Sequence, residues 1–398
     1  MEPVILVGGA RVFHGDCREV LRGLPGNSID SVVTDPPYEL GFMGKKWDST
    51  GIAYDVSVWE ECLRVLKPGG HILAFGGSRT FHRMAVAIED AGFEIRDSIA
   101  WISSKTFPKS LNVRKAIDKT GVDGSAWEGW GTGLKNVVEP IVMGRKPLVG
   151  TVAANVLEHG VGGLNIDASR IGSEPVTINT FDSGAKPFGG AVGEAYTSRQ
   201  SEGRWPANVI LDEYSAGLLD EQSGHLHGSG NKSDIGQGVD KAYTSTSYEV
   251  SYQGRAGRDF GKAGGGASRF FYCATASKSD RNEGLGDLPD NVVGSFFGNF
   301  EVPGNKIGAN PDKPNQPGKN THPTVKPTSL MRYLIKLVTP AGGTVLDPFT
   351  GSGSTGKAAL LDGYKFVGAE LTEEYLPIIE GRLKWALQQQ SENGGKLF

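Results

Sequence analysis

Hydrophobic positions in the first hundred residues fall into two patterns that alternate along the chain. Short strand-like segments occur at residues 11–14, 29–34, 71–75 and 93–101, and those at 29–34 and 71–75 have the pattern of buried strands. Between these runs the apolar residues recur at helical spacing, and Asp55 and Ser78 stand where helix-capping residues are expected. This alternation of strands and helices predicts an α/β fold with a doubly wound parallel sheet.

The middle of the chain lacks this alternation. Between Ser103 and Asn320 the pattern dissolves, and residues 184–266 consist largely of Gly, Ser, Thr and Tyr with scattered Arg and Lys. A basic stretch at residues 105–119 precedes them. Such a composition fits binding loops that contact phosphates, or a disordered insertion, and the sequence alone leaves both open.

Strand and helix patterns resume near the C-terminus. Apolar runs at residues 344–347 and 365–370 predict two further strands, each followed by a helical pattern. We therefore predict one α/β domain built from two halves, residues 1–103 and 321–398. An irregular region, residues 104–320, separates them.

Composition and charge narrow the classes of protein that fit. With 41 basic and 45 acidic residues the net charge is −4, which argues against a uniformly basic surface but allows a local basic cleft. The three cysteines are far apart, which predicts no disulfide scaffold and favours a reducing cytoplasm. His225 and His227 lack a third ligand nearby, so no metal site is predicted. We expect no membrane partner, because no apolar run could cross a bilayer and no signal peptide is recognisable.

A carboxylate, two prolines and an aromatic ring follow the strand predicted at residues 29–34. In Asp35-Pro36-Pro37-Tyr38 the prolines end the strand and stiffen the turn, because each fixes φ and neither donates to a ladder. Asp35 and the carbonyl of Pro36 can each accept one hydrogen bond from a planar amine, while Tyr38 stacks on its ring. Accepting both protons makes the amine a better nucleophile. The alternative is a proline-ended strand with an incidental surface tyrosine.

A second constellation, rich in glycine, lies between the last two predicted strands. Residues 351–356 satisfy G-x-G-x-x-G, and Glu370 ends the next strand, where a nicotinamide dehydrogenase has its ribose-binding acid. Residues 351–357 also fit the phosphate loop of an NTPase, although Ala358 stands where Ser or Thr should hold Mg²⁺. An S-adenosylmethionine site would use the glycines and Glu370 as well, with Asp347 toward the amino-acid end of the donor. A glycine turn that only packs helix on strand is the remaining alternative.

The proline turn discriminates among these alternatives. Neither hydride transfer nor phosphoryl transfer needs a paired acceptor for an amine beside an aromatic ring, whereas methyl transfer to an aromatic amine does. The residues therefore favour S-adenosylmethionine as the cofactor and an amino group on a flat ring as the acceptor.

Three motifs together resemble those of amino-group DNA methyltransferases. They are Asp35-Pro36-Pro37-Tyr38, His322-Pro323-Thr324-Val325-Lys326-Pro327 and Asp347-Pro348-Phe349-Thr350-Gly351-Ser352-Gly353. Their order, with the catalytic motif first and the donor loop last, is similar to that of the β class of this family. The resemblance covers residues 1–103 and 320–390, and the central blocks are similar, less specifically, to prophage-type members.

The resemblance implies a role for individual residues. The catalytic set would be Asp35, Pro36, Pro37 and Tyr38. The adenosine of the donor would be contacted by Asp16, Cys17, Thr324 and Lys326, and its ribose by Glu370. The methionine part would be enclosed by Asp347, Phe349, Gly351, Ser352 and Gly353.

The resemblance also implies a fold and an activity. The fold would be a doubly wound, Rossmann-like methyltransferase fold with a mixed sheet and an irregular inserted target-recognition region. The activity would be methylation of N6 of adenine in double-stranded DNA, with the target base flipped out of the duplex. Cytosine N4 is the alternative acceptor, but Asp35 favours adenine because Ser is commoner at that position in the cytosine enzymes. A catalytically dead DNA-binding module is a further alternative, against which Asp35 and the intact glycine loop argue.

The sequence leaves the recognition sequence and the oligomeric state open, a homodimer included. It also leaves open whether a restriction enzyme is a partner. The expected location is the cytoplasm of a bacterial or phage-infected cell, in association with the nucleoid through DNA.

Overall fold

The computed structural model describes residues 2–40, 46–104, 108, 110–181, 196–224, 265–275, 279–289 and 319–392. The chain divides into two compact units. The first contains residues 1–169, 208–215 and 273–398, and the second contains residues 170–207 and 216–272. The predicted loops at 184–266 fall mostly outside the described residues, as do Lys105, Lys109, His225 and His227.

The strands alternate with helices in both terminal regions. In chain order the strands are β1 (Ile5–Val7), β2 (Ala10–His14), β3 (Ile29–Thr34), β4 (Leu66–Phe75), β5 (Glu94–Ile102), β6 (Val138–Arg145), β7 (Ile171–Phe181), β8 (Tyr196–Arg204), β9 (Val209–Asp212), β10 (Tyr272–Ala274), β11 (Thr344–Asp347) and β12 (Lys365–Glu370). The α-helices are α1 (Cys17–Arg22), α2 (Val56–Val65), α3 (Phe81–Asp90), α4 (Val113–Asp118), α5 (Val152–His159), α6 (Glu213–Ser223), α7 (Thr328–Val338), α8 (Ser354–Leu361) and α9 (Leu376–Glu392).

Ten of the described strands form one mixed sheet in the order β1-β2-β12-β11-β3-β4-β6-β5-β9-β10. The strands from β2 to β4 in this order are parallel to their neighbours, while β1 pairs antiparallel with β2. Strand β6 is antiparallel to both β4 and β5. The predicted α/β fold with a mixed sheet is confirmed, and the simpler expectation of an all-parallel sheet is wrong because β6 runs against its neighbours.

The helices of the first unit cover the sheet in two groups, as binary patterning requires. Helices α1, α2 and α3 bury an apolar stripe in one continuous core with the central strands; Leu21, Trp59 and Ile88 are inaccessible to solvent there. Helices α7, α8 and α9 pack against one another and against the sheet, with Leu334 and Leu383 fully buried.

Side-chain caps explain some helix starts but not all. The carboxylates of Asp16 and Asp55 accept from the backbone amides of Arg18 and Ser57, which begins α1 and α2. The prediction that Ser78 caps the next helix is wrong: α3 begins at Phe81 and no side chain caps it.

The predicted division of the chain differs from the observed compact units. Strand β6 and helix α5 lie within residues 104–320, yet both belong to the first unit, as do residues 208–215 and 273–289. The middle of the chain therefore contributes three strands, β6, β9 and β10, to the ten-stranded sheet and is not a single inserted piece. In the second unit, β7 and β8 form a separate antiparallel pair.

None of the helices in the described ranges is long and apolar enough to cross a lipid bilayer. Among the same residues, no group of three His, Cys, Asp or Glu side chains is arranged as metal ligands would be.

Candidate active site

The topology brings the proline turn and the glycine loop to the same edge of the sheet. Strands β3 and β11 are parallel neighbours, so the loops that follow their carboxyl ends lie side by side. The hydroxyl of Thr34, the last residue of β3, donates to Oδ1 of Asp347, the last residue of β11, at 2.6 Å. Motifs at opposite ends of the sequence are thus connected directly.

Asp347 connects strand ends and is hardly accessible. Its Oδ2 accepts from the hydroxyl of Thr355 at 2.6 Å, its Oδ1 accepts from the amide of Phe349 at 3.1 Å, and the residue is 2% exposed. Burial raises the pKa of this carboxyl to about 6, although these hydrogen bonds oppose the shift. Both carboxylate oxygens of Asp347 therefore have partners within the fold, and its contact with the amino-acid end of a donor stays a prediction.

Asp35 has one oxygen that is paired and one that is not. The ammonium of Lys326 lies 2.6 Å from Oδ2 of Asp35. Oδ1 is buried and has no hydrogen-bond partner among the described residues. A buried carboxylate oxygen without a partner is costly, so Oδ1 is available to accept a hydrogen bond from a bound group.

Lys326 lies at the proline turn, although it had been expected beside the donor. Its side chain is 8% exposed, and its ammonium is 3.5 Å from Oε2 of Glu139 and 5.3 Å from the centre of the Tyr38 ring. Burial by itself would lower the pKa of Lys326, but the charges of Asp35 and Glu139 outweigh it and raise the pKa.

Tyr38 is held by two hydrogen bonds, one at the hydroxyl of its ring and one at its backbone carbonyl. Its hydroxyl donates to Oε2 of Glu139 at 2.8 Å, and its backbone carbonyl accepts from the hydroxyl of Thr80 at 2.8 Å. Burial, together with the negative charges of Asp35 and Glu139, raises the pKa of Tyr38 well above its usual value. A phenol held neutral in a fixed orientation suits a stacking platform.

Glu139 was not predicted from the sequence. It is the second residue of β6, and because β6 is antiparallel to β4 its first residues lie beside the carboxyl end of β4. The amide of Gly76, just after β4, donates to the carbonyl of Pro140 at 2.9 Å. A short apolar run at residues 141–143 indicates a strand there, but nothing in the sequence gives its direction.

The motif at residues 322–327 spans from the glycine loop to the proline turn. The His322 ring packs edge-on against Tyr375, with centroids 4.6 Å apart, and its Nδ1 lies 2.7 Å from the carbonyl oxygen of Thr324. A Cβ atom added to Gly351 would lie 2.9 Å from Nε2 of His322. Burial lowers the pKa of His322 to about 4, so the ring is neutral. Lys326, four residues later, reaches Asp35.

The glycine loop is organised by Glu370. Oε2 of Glu370 accepts from the amide of Gly351 at 2.7 Å, and Oε1 accepts from the amide of Thr372 at 2.8 Å. Gly351 and Gly353 have φ values of +54° and +75°, a region that favours glycine. Burial raises the pKa of Glu370, and the two amide hydrogen bonds oppose the shift. Each carboxylate oxygen keeps a second lone pair, so Glu370 can still accept from a hydroxyl of a bound ribose.

The remaining predicted donor residues differ in how they face the site. The amide of Gly15 donates to the carbonyl of Glu370 at 2.9 Å, which brings Asp16 next to Glu370, although an ion pair with Arg18 at 2.6 Å engages its carboxylate. The Cys17 side chain is buried in the apolar core. The hydroxyl of Ser352 is within hydrogen-bond distance of Ser354 and Arg382.

Phe349, the next residue of the loop after Pro348, is half-buried against Trp59, with ring centroids 6.3 Å apart. Thr324 is also half-buried, and its carbonyl is the one that contacts His322. Both residues therefore leave part of their surface accessible at this edge of the sheet.

The phosphate-loop alternative is wrong for this chain. Lys357, which would have to reach a phosphate, has no solvent exposure, and its ammonium is 2.6 Å from Oδ1 of Asp280 and 2.7 Å from Oε2 of Glu283. The lysine therefore neutralises buried carboxylates within the fold.

Comparison with known proteins places these motifs in context. A family model described as DNA methylase matches residues 29–381. Type II methyltransferase M.HindIII of Haemophilus influenzae is 32% identical over 149 residues, which is 36% of this chain and 45% of that protein. DNA adenine methyltransferase YhdJ of Escherichia coli is 40% identical over 76 residues, 19% of this chain and 26% of that protein. The chain thus spans less than half the length of either relative.

Among solved structures, PvuII DNA methyltransferase (cytosine-N4-specific) aligns with a TM-score of 0.45 at 13% identity. The alignment covers 96% of this chain and 88% of that one. M1.HpyAVI aligns with a TM-score of 0.40 at 14% identity, covering 94% and 98% of the two chains.

Proposed function

The chain belongs to the DNA methylase family, and on that premise we propose that it transfers a methyl group from S-adenosylmethionine to N6 of adenine in double-stranded DNA. The observation that carries the proposal is Oδ1 of Asp35, a buried acceptor without a partner among the described residues. It lies directly after β3, where an amine on a flipped base would supply the missing hydrogen bond.

The chain's own residues orient the amine and polarise it. Oδ1 of Asp35 accepts one amine proton, the carbonyl of Pro36 accepts the other, and Tyr38 stacks on the base. S-adenosylmethionine, when bound, supplies a methyl group on a positively charged sulfur. The amine nitrogen becomes positively charged as it gains the methyl group, and it returns to neutrality by giving up a proton, for which Asp35 is an acceptor.

The donor would bind at the carboxyl ends of β11 and β12. Glu370 would accept from the ribose hydroxyls, and the left-handed turn at Gly351 and Gly353 would let the backbone approach the donor closely. Phe349 and Asp16 flank this position. The fit rests on an acid at the end of the strand next to a glycine turn. Lys357, the lysine that a phosphate loop would use, is paired with Asp280 and Glu283 inside the fold.

Adenine is favoured over cytosine by two observations. The first residue of the proline turn is Asp35, which is typical of the adenine enzymes, and the chain is similar to a relative named as a DNA adenine methyltransferase. Cytosine N4 stays the alternative, because it offers an amine of the same kind.

Contacts to DNA outside the pocket are proposed for the second unit. Trp205 and Phe270 are 63% and 46% exposed, and three guanidinium groups lie over their rings: Arg170 at 5.7 Å from Trp205, and Arg204 and Arg269 at 5.2 Å and 4.5 Å from Phe270. Exposed rings with cations suit bases and phosphates. A homodimer, a restriction-enzyme partner and a location at the nucleoid stay predictions.

The test is to incubate the protein with unmethylated DNA of mixed sequence and methyl-labelled donor, then digest the DNA and identify the labelled nucleoside. We expect N6-methyladenine with the wild type. With Asp35→Ala we expect no label, while S-adenosylhomocysteine still binds in calorimetry. Label in N4-methylcytosine would establish the alternative acceptor, and the absence of label in both bases would contradict the proposal.

A further inference from the structure

Three ionisable side chains from distant parts of the chain meet at the amine site. The ammonium of Lys326 lies between Oδ2 of Asp35, at 2.6 Å, and Oε2 of Glu139, at 3.5 Å. The same Oε2 accepts from the hydroxyl of Tyr38 at 2.8 Å. With both carboxylates ionised and the lysine protonated, the group carries one net negative charge.

The position of Lys326 has a geometric consequence for Asp35. The carboxylate group of an aspartate can rotate about its terminal side-chain torsion. A buried carboxylate adopts the rotamer in which a neighbouring donor can bind it. By binding Oδ2, Lys326 leaves Oδ1 as the oxygen without a partner. The position of the Lys326 ammonium is itself restrained by a cation–π contact, because it also lies 4.9 Å from the centre of the Phe75 ring.

Glu139 has an electrostatic consequence. If Asp35 and Lys326 were alone, they would form a neutral pair, and the ammonium would repel an amine that becomes cationic on methylation. The second carboxylate, whose Oε2 lies 3.5 Å from the ammonium of Lys326, restores a net negative charge to the group. In a partly buried site, opposite charges attract more strongly than in water.

Building on the proposed function, we propose that Lys326 and Glu139 are positioning residues for methyl transfer. Lys326 orients Asp35 so that Oδ1 faces the amine, and Glu139 keeps the net charge of the site at −1 while it holds the ring of Tyr38. In the step itself, the amine nitrogen forms a bond to the methyl carbon while the carbon–sulfur bond breaks and leaves its electron pair on sulfur. One proton then passes from the nitrogen to Oδ1 of Asp35.

If Glu139 and Lys326 act through the net charge of the site, their substitutions should change the methylation rate in a way that a purely structural role would not produce. Glu139→Gln changes the net charge from −1 to 0, and Lys326→Met changes it from −1 to −2. The double variant returns to −1. Attraction to the cationic amine predicts that Glu139→Gln lowers the methylation rate in the wild type. Without Lys326 the two neighbouring carboxylates repel each other, and a proton taken up between them would block Asp35 as an acceptor, so Glu139→Gln should raise the rate in the Lys326→Met background.

The experiment uses single-turnover methylation of a duplex that carries the site mapped with the wild-type enzyme. The variants are Glu139→Gln, Lys326→Met and their combination. Exposed residues of the same types give the matched controls Glu89→Gln on α3 and Lys365→Met at the start of β12. Thermal melts and calorimetry with S-adenosylhomocysteine verify that each variant is folded and binds the donor product.

We expect Glu139→Gln to lower the rate by about 10- to 100-fold with unchanged affinity for S-adenosylhomocysteine. The controls should stay within about twofold of the wild type. We expect the double variant to be faster than Lys326→Met. Equal rates for Glu139→Gln and Glu89→Gln, or the same fractional loss in both backgrounds, would overturn the charge role.

A second readout does not depend on activity. Duplexes with adenine or purine at the target position differ only in the amine, so their ratio of dissociation constants, measured with S-adenosylhomocysteine present, reports the contact with Asp35. We expect the wild type and Lys365→Met to prefer adenine and Lys326→Met to lose most of that preference. An unchanged preference in Lys326→Met would overturn the orienting role. A wild type that methylates no DNA would instead contradict the proposed function.

Discussion

At the scale of single residues, the site consists of ionisable groups whose partners are supplied by the fold, with one exception. Glu370, Asp347 and Glu139 each accept hydrogen bonds from described neighbours, whereas Oδ1 of Asp35 does not. Because buried polar atoms are usually paired in folded proteins, this available acceptor supports the proposed contact with the substrate amine.

Tyr38 tests whether the ring or the hydroxyl matters. Tyr38→Ala removes the stacking surface and should weaken binding of the target base by about 1–3 kcal/mol. Tyr38→Phe keeps the ring and loses only the hydrogen bond to Glu139, so it should retain substantial activity. Single-turnover rates on matched duplexes, and on duplexes mismatched at the target base, measure both effects. The mismatch should partly rescue Tyr38→Ala, because the base is already unstacked. Equal activities of the Ala and Phe variants at equal stability would remove Tyr38 from the mechanism.

Glu370 tests the proposed donor site. Glu370→Ala should weaken binding of S-adenosylhomocysteine by about 1–3 kcal/mol, the scale of losing a charged acceptor. It should also destabilise the fold, because the amides of Gly351 and Thr372 lose their partner. Calorimetry and thermal melts separate the two effects. Exposed Glu374→Ala, four residues later, is the control. Unchanged affinity in Glu370→Ala would mean that the ribose binds elsewhere.

At the scale of elements, a buried ionic cluster holds residues 279–289 against the C-terminal helices. Asp280 accepts from the ammonium of Lys357 on α8 and from the amide of Thr328 at the start of α7, both within 2.7 Å. Arg382 on α9 is fully buried, lies 3.7 Å from Asp280 and donates to the carbonyl of Ser352 in the glycine loop. Burial lowers the pKa of Arg382 to about 10. Through the contact of Arg382 with Ser352, this cluster stabilises the glycine loop.

Removing the carboxylate of Asp280 from this cluster should destabilise the fold more than removing an exposed carboxylate of the same segment. Asp280→Ala leaves Lys357 with Glu283 alone and should lower the free energy of unfolding by about 3–5 kcal/mol. Asp287→Ala changes an exposed carboxylate of the same segment and should cost less than about 0.5 kcal/mol. Urea denaturation of both variants measures the difference. Similar values for the two variants would show that the cluster contributes little to stability.

At the scale of the whole molecule, buried titratable groups should make stability fall in acid. Burial lowers the pKa of His71 and of His322 from 6.5 to about 4. Between these values the unfolded chain binds more protons than the folded one, so the free energy of unfolding falls as the pH falls from about 6.5 to about 4. Each histidine can contribute about 3 kcal/mol at most. Asp347 acts in the opposite direction, because its pKa is raised from 3.8 to about 6 and the folded protein binds the extra proton.

Denaturation at several pH values between about 7 and about 4 tests this balance. His71→Gln or His322→Gln should flatten the acid loss, Asp347→Asn should steepen it, and exposed His82→Gln should leave it unchanged. The slope is the relevant quantity, since each substitution also shifts stability at every pH. An identical slope in all four variants would show that these groups titrate alike in the folded and unfolded chains.

Most strands and helices of the two terminal regions, and the motifs they carry, could be predicted from the sequence. Strands β3, β11 and β12 are observed at residues 29–34, 344–347 and 365–370, as predicted, because buried parallel strands are short segments rich in apolar residues. Adjacency of the two motif-bearing loops also follows from sequence reasoning, since carboxyl ends of parallel strands share one edge. Local chemistry was enough for these inferences.

The partners of the charged groups could be identified only from the tertiary structure. Glu139 reaches Tyr38 and Lys326 because β6 runs antiparallel beside β4, and the short apolar run at residues 141–143 does not give the direction of the strand. Lys326 contacts Asp35, 291 positions earlier in the chain, and Lys357 is turned inward by Asp280. The physical reason is the same throughout: periodicity encodes which face is buried, whereas ion pairs between distant residues depend on strand order and direction, which packing of the whole chain selects.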